Sequence, residues 1–136
     1  MDNKIPVAEL PFRADFFSNA YGEIVWAERL CPGVYQIGAR PSEDARYCLE
    51  YYVAMPGSPV SAEARAFGKP LPGEPDAVVF DCSDYYGKGR YVVEYEVQKY
   101  LEDENLPLPK GESSERSRVL GMEVCPEYFG EFPTPH

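Results

Sequence analysis

The sequence contains one histidine and one tryptophan in 136 residues, and no two of its cysteines stand close together. A cysteine or serine nucleophile needs a base, most often histidine, and the only histidine here is the last residue, His136. The cysteines at positions 31, 48, 82 and 125 form no C-x-x-C motif and have no histidine nearby. These gaps argue against nucleophilic catalysis and structural zinc, so we expect no metal, no cofactor and free thiols.

Long apolar runs are also missing from the chain. No stretch approaches the roughly 18 apolar residues that indicate a membrane span. The first ten residues, "MDNKIPVAEL", lack the basic start and apolar run of a signal peptide. The sequence therefore predicts a soluble cytoplasmic protein with no membrane partner, in a compartment where persistent disulfides are rare.

Positive charge is scarce relative to negative charge. The net charge is −10, so the attraction to phosphate that drives nucleic-acid binding has the wrong sign, and we expect no nucleic-acid partner. Residues 91 to 136 carry ten acidic and four basic residues. This excess can steer a basic protein partner to the C-terminal third, or it can serve solubility alone.

The chain does contain several β-prone segments. Residues 23 to 39 predict a hairpin that turns at Pro32 and Gly33, with Ile24 and Trp26 on one face of its first strand. Further strands are predicted in "RYCLEYYVAM", from Asp76 to about Cys82, and in "VLGMEV". The third strand places alternate residues on one face: Tyr47, Leu49, Tyr51 and Val53.

Two helices complete the prediction. Residues 88 to 104 fit both a strand and a helix, and a helix is favoured because "QKYLEDEN" is poor strand material. A short helix in the proline-rich loop would have Ser58 as its cap and Gly68 just past its end. We expect one α+β domain over residues 1–136: a mostly antiparallel sheet of about five strands, one main and one short helix, a loop at 55–76 and an exposed connection at 105–118.

Two segments of the chain, "YVVEYEVQKYLE" and "RVLGMEVCPEYFGEFPTP", resemble a pattern of small bacterial proteins of an uncharacterised family. The resemblance implies a bacterial cytoplasmic origin. It brings no activity, so it assigns no role to any residue.

The candidate functional residues lie around the end of the fourth strand. Tyrosines cluster on the third and fourth strands and the element that follows, where they form either a partner surface or the rim of a core. Asp81 and Asp84 flank Cys82 there, either as ligand-binding carboxylates or as caps of the next turn. The predicted site comprises Tyr51, Asp81, Cys82, Asp84, Tyr85 and Tyr86.

From these residues the sequence favours a non-enzymatic protein-interaction module with an acidic, tyrosine-rich face. A rival hypothesis is a small-molecule binder or hydrolase with a pocket near Asp81, Cys82, Asp84 and Tyr85. A deep apolar cleft at those residues would favour the rival, and a flat face would favour the module. The aromatic segment 125–132 is predicted to lie as a strap across the domain, with Phe129 turned inward.

Overall fold

The computed structural model describes residues 4–82 and 88–107. A 3-10 turn at Val7–Glu9 and helix α1 at Ala14–Tyr21 precede strands β1, Glu23–Cys31, and β2, Val34–Arg40. The chain continues with β3 at Leu49–Ala54, α2 at Ala62–Arg65, β4 at Lys69–Leu71, β5 at Glu74–Asp81 and α3 at Gly89–Asp103. All strand pairs are antiparallel, and the strand order is β1-β2-β3-β5-β4. The α+β fold with a five-stranded antiparallel sheet is thus confirmed.

The predicted hairpin is formed by β1 and β2. Cys31 pairs with Val34 across a turn of two residues, Pro32 and Gly33. Gly33 has φ of 83°, a left-handed conformation that favours glycine, so the Pro-Gly pair is well suited to this turn. The hairpin then continues into β3, which pairs with β2 over six residue pairs.

The sheet is covered on both faces by helices, which gives three layers. Helix α1 packs on one face over a cluster that we call the α1 core, and α2 and α3 pack on the other over the α3 core. Alternation along β3 sends Tyr51 and Val53 into the α1 core and Tyr52 and Ala54 into the α3 core. The strand is therefore buried on both sides, and Tyr47, which was expected to share the Tyr51 face, lies before the strand and is 61% exposed.

A β-bulge in β1 changes the predicted alternation. Ile24 pairs with Ala39, but Trp26 pairs with Gly38, so Val25 is an extra residue on this strand. Ile24 consequently packs in the α1 core, whereas Trp26 lies on the opposite face. The prediction that Ile24 and Trp26 share a face is wrong, because a bulge shifts the two-residue period by one position.

The proline-rich loop holds more regular structure than the sequence predicted. Strand β4, Lys69–Leu71, forms an edge of the sheet beside β5, and its middle residue is Pro70. Proline is tolerated at a sheet edge, which explains how a strand occurs in a segment that composition alone marks as loop. Helix α1 was not predicted either. The helix at 88–104 and the interior position of β5 are confirmed by α3 and by the strand order.

The short helix α2 begins one turn later than predicted. Its cap is Ser61, whose side chain accepts a hydrogen bond from the Ala64 amide, and not Ser58. The Ser61 hydroxyl also donates to Glu96 of α3, and the Ser61 amide donates to the same carboxylate at 3.0 Å. One serine thus caps α2 and ties it to α3.

Ser58 has a different role, because it is one of the groups that hold Arg65. The guanidinium of Arg65 donates to the carbonyl oxygens of Val60 at 3.3 Å and Asp76 at 3.2 Å, to that of Met55, and to the Ser58 hydroxyl at 3.2 Å. A single side chain therefore ties together the segment between β3 and β5 by donating to several of its backbone carbonyl groups.

Several predictions fall outside the described residues. These are the strand in "VLGMEV", most of the connection at 105–118, the aromatic strap at 125–132, Cys125 and His136. In residues 4–82 and 88–107, no helix combines the length and the apolar character needed to cross a membrane.

Candidate functional site

The predicted site residues are divided between the two faces of the sheet. Tyr51 and Asp81 are direct cross-strand partners on β3 and β5, so their side chains lie on the α1 side. Cys82 follows Asp81 and packs against the α3 core on the other side. Asp84, Tyr85 and Tyr86 lie outside the described residues.

Tyr51 is a core residue with 5% of its surface exposed. Its ring lies 4.9 Å from the ring of Tyr21 and 5.6 Å, edge to face, from that of Phe17. Burial, together with the nearby Asp81 carboxylate, raises the pKa of both tyrosine hydroxyls above the ordinary value. The geometry at Tyr51 is that of a packed aromatic cluster that holds α1 on the sheet.

Cys82 is partly exposed and lies near several charged groups. Burial, followed by the Glu94 carboxylate, raises its pKa well above the ordinary value, and the Arg90 guanidinium opposes this shift only in part. A reactive cysteine requires the opposite shift, since the thiolate is the nucleophile. The surroundings of Cys82 therefore suit an inert thiol.

A polar chain links β3 to α3 beside Cys82. The Tyr52 hydroxyl donates to Glu94 Oε1 at 2.8 Å, and Arg90 Nε donates to the same oxygen at 2.9 Å. Burial raises the pKa of Tyr52 well above its ordinary value, and the neighbouring thiol and carboxylate raise it further. This chain fixes the start of α3 over the sheet and satisfies a carboxylate that is mostly buried.

The bulge places the tryptophan on the α3 side of the sheet, outside the α3 core. Trp26 is partly exposed and does not belong to either core cluster of the described residues. Its indole rests on Gly38, where an added Cβ would lie 2.8 Å from Cδ1 and closer still to Nε1 and Cε2. Glycine at position 38 therefore makes a flat platform for the ring.

Two carboxylates lie on the same face of the sheet as this indole. The register places Glu28 opposite Gln36, and Glu50 opposite Gly38, on the same face as Trp26. Gln36 Nε2 donates to Glu50 Oε1 at 2.7 Å, which orients that carboxylate. We call the surface formed by Trp26, Glu28, Gln36, Gly38 and Glu50 the Trp26 face.

A salt bridge lies at one end of the Trp26 face. Arg40 Nη2 contacts Glu23 Oε1 at 2.6 Å, so this guanidinium is already paired with a carboxylate. Both side chains are more than a third exposed, and such a pair contributes little to stability, about 1 kcal/mol or less. A second basic residue, Lys4, lies opposite Glu28 at the outer edge of β1.

The remaining features of the described residues do not suggest a reaction or a ligand. A shallow open groove of about 370 Å³ lies between α1 and the β4–β5 turn, lined by Phe16, Asn19, Ala20, Pro72 and Gly73. No group of three or more His, Cys, Asp or Glu side chains within residues 4–82 and 88–107 is placed to hold a metal ion. Cys31, Cys48 and Cys82 form no disulfide in the same part of the chain.

Comparisons of the chain with protein-family models, with curated proteins and with solved structures find no match. The resemblance to an uncharacterised bacterial family therefore gains no support.

The Trp26 face was missed by reasoning from sequence. The alternation of β1 placed Trp26 on one face with Ile24, and no functional role was predicted for either residue. The available signal was the combination of the only tryptophan with glutamates at Glu23 and Glu28 on the same strand. Charged residues on the same strand are compatible with an exposed tryptophan, but they do not signal the bulge that changes its face.

Proposed function

We propose that this chain is a non-enzymatic interaction module that binds a basic protein partner through the Trp26 face. The observation that carries the proposal is the partly exposed indole of Trp26, which is seated on Gly38 and shares its face of the sheet with Glu28 and Glu50. The cytoplasmic location and the protein nature of the partner belong to the same proposal.

The chemistry of the face supports a cationic ligand group. A lysine or arginine side chain can stack on an indole and place its charge over the ring, an interaction of about 0.5–2 kcal/mol depending on how far the site is desolvated. Carboxylates beside the ring add attraction and speed association. Tryptophan is also enriched among the residues that contribute most to protein interfaces.

The rival hypothesis, a small-molecule binder or hydrolase with a pocket near Asp81, Cys82, Asp84 and Tyr85, has less support. It needs the side chains of Asp81 and Cys82 to converge on one ligand, and these lie on opposite faces of the sheet. The raised pKa of the Cys82 thiol also weighs against nucleophilic chemistry there.

The proposal can be tested by fluorescence, because Trp26 is the only tryptophan in the chain. We would titrate the protein with the heptapeptide TKVKVKT, capped at both ends, and with its glutamate analogue TEVEVET. We expect the lysine peptide to change the Trp26 emission saturably, more weakly at high salt because exposed charges are screened. The glutamate peptide should have no effect.

Matched charge variants separate specific binding from general attraction to an acidic protein. Glu28→Gln and Glu63→Gln each remove one negative charge, but only Glu28 lies on the Trp26 face, whereas Glu63 is in α2. Glu28→Gln should weaken binding by roughly two- to tenfold and Glu63→Gln by less than about twofold. Equal effects of the two variants, or no change in Trp26 emission, would refute the proposal.

A further inference from the structure

The five-stranded sheet has two edges that differ in length and composition. One edge is β4, which has three residues with Pro70 in the middle. Short edge strands and proline protect a sheet against pairing with another chain. The other edge is β1, which is nine residues long and contains no proline. Of the two edges that the described residues form, the β1 edge is the one long enough to pair with an added strand.

The chain itself shows what the β1 edge accepts. An extended segment near the N-terminus pairs with β1 in antiparallel orientation, with Lys4 opposite Glu28. The Ile5 amide donates to the Ala27 carbonyl oxygen at 3.0 Å. The edge thus already receives a backbone segment that brings a lysine to Glu28, a residue of the Trp26 face.

This pairing ends at Pro6, which has no amide hydrogen and is followed by the 3-10 turn at Val7–Glu9. This turn contacts β1, but within residues 4–82 and 88–107 the one backbone hydrogen bond to the outer side of β1 comes from Ile5, and none reaches Glu23 to Trp26 there. Val25, the extra residue of the bulge, is 52% exposed in the same stretch.

We propose that the basic partner adds a short extended segment to the outer edge of β1 at Glu23–Trp26, beside the Trp26 face. The proposal rests on the function proposed above and specifies its binding mode. Backbone hydrogen bonds to the edge would give affinity, and every second side chain of the segment would point toward the Trp26 face, where a lysine meets the indole and Glu28.

The bulge limits the length of the added segment. A bulged strand bends and twists more strongly, so a long flat ladder cannot continue past Val25. The same feature restrains uncontrolled pairing of β1 with other copies of the chain. The partner segment is therefore expected to be short, about four residues in contact with the edge.

The test uses two versions of the peptide TKVKVKT that carry backbone N-methyl groups, one on the odd-numbered residues and one on the even-numbered residues. In an added strand, alternate amides point to the edge and to solvent, so one version loses its hydrogen bonds to β1 and the other keeps them. We expect one version to bind at least about tenfold more weakly and the other to stay within about threefold of the parent peptide.

The readout is the Trp26 emission, with amide hydrogen exchange of Glu23 to Trp26 as a second measurement that should slow when the parent peptide is bound. If both methylated peptides bind like the parent while Glu28→Gln still weakens binding, the edge pairing is wrong and the proposed function stands. If the parent peptide does not bind, both proposals are wrong.

Discussion

Replacement of Gly38 by alanine tests the geometry of the Trp26 face most directly. The backbone at Gly38 has no left-handed φ, so alanine fits the strand without backbone strain. Its methyl group, however, would occupy the space of the indole, 2.8 Å from Cδ1 and closer to two other ring atoms. Either the sheet distorts around the ring or the ring leaves its platform.

Both responses reduce the stability of the folded state. Overpacking that forces side chains from their positions costs about 1–3 kcal/mol. Loss of the contact between the ring and the sheet, if it exposes roughly 50–100 Å² of apolar surface, costs about 1–2.5 kcal/mol. We therefore expect Gly38→Ala to lower the free energy of unfolding in urea by about 1–3 kcal/mol. Emission from Trp26 should shift to longer wavelength, and acrylamide should quench it more strongly.

Gly57→Ala is the matched control. Gly57 has φ of 82° and no atom within 4 Å of an added Cβ, so this alanine costs about 1–2 kcal/mol through backbone strain alone. Its stability loss is thus similar, but the Trp26 spectrum should not change. In the background of Trp26→Ala, the cost of Gly38→Ala should disappear. Our reading of the face would be refuted by a Gly38→Ala protein with wild-type stability and emission, or by an unchanged cost in the Trp26→Ala background.

Three other predictions concern stability. Burial raises the pKa of the Cys31 thiol from 9.0 to about 11, so the neutral thiol favours the folded state. Its contribution to the free energy of unfolding is complete below pH 9 and is lost as the pH rises to 11. This contribution amounts to about 2–3 kcal/mol. In Cys31→Ala, the free energy of unfolding measured in urea should therefore fall less steeply between pH 9 and pH 11. Cys48→Ala, which removes an exposed thiol, should not change that slope. Arg65→Gln should lower the free energy of unfolding by about 2–4 kcal/mol because several carbonyl groups lose their donor. The control Arg29→Gln, at an exposed position, should change it by less than about 0.5 kcal/mol in the same assay. Equal effects of the two variants would contradict the role of Arg65. Ser61→Ala should cost about 1–2 kcal/mol in thermal unfolding, and a loss of less than about 0.5 kcal/mol would show that this residue is not the cap.

Local sequence determined the elements whose signals are strong over a few residues. The Pro32-Gly33 pair between β-prone runs indicates the hairpin, because a tight turn needs these conformations whatever surrounds it. The apolar run of β5 indicates an interior strand, since a strand with helices on both sides has no polar face. The helical identity of α3 follows from residues that make poor strands.

Tertiary structure alone decided where several side chains lie. The bulge at Val25 depends on how β1 pairs with β2, and no residue of β1 signals it alone, so the position of Trp26 could not be predicted. Likewise, strand β4 forms although it contains Pro70, because it pairs with β5 at the edge of the sheet, where proline is tolerated. This position at the edge cannot be read from the residues of β4 themselves.

The candidate site shows the same division. Sequence correctly identified an acidic chain rich in tyrosine, but exposure depends on which face of the sheet a helix covers. Tyr51 is buried in the α1 core, whereas Trp26 is partly exposed and belongs to neither core cluster of the described residues. Asp81 and Cys82 are neighbours in sequence, yet consecutive residues at a strand end point to opposite faces and cannot share a ligand there. The sequence determines how many aromatic and acidic side chains the protein has. The packing of helices on the two faces of the sheet determines which of these side chains lie together at the surface.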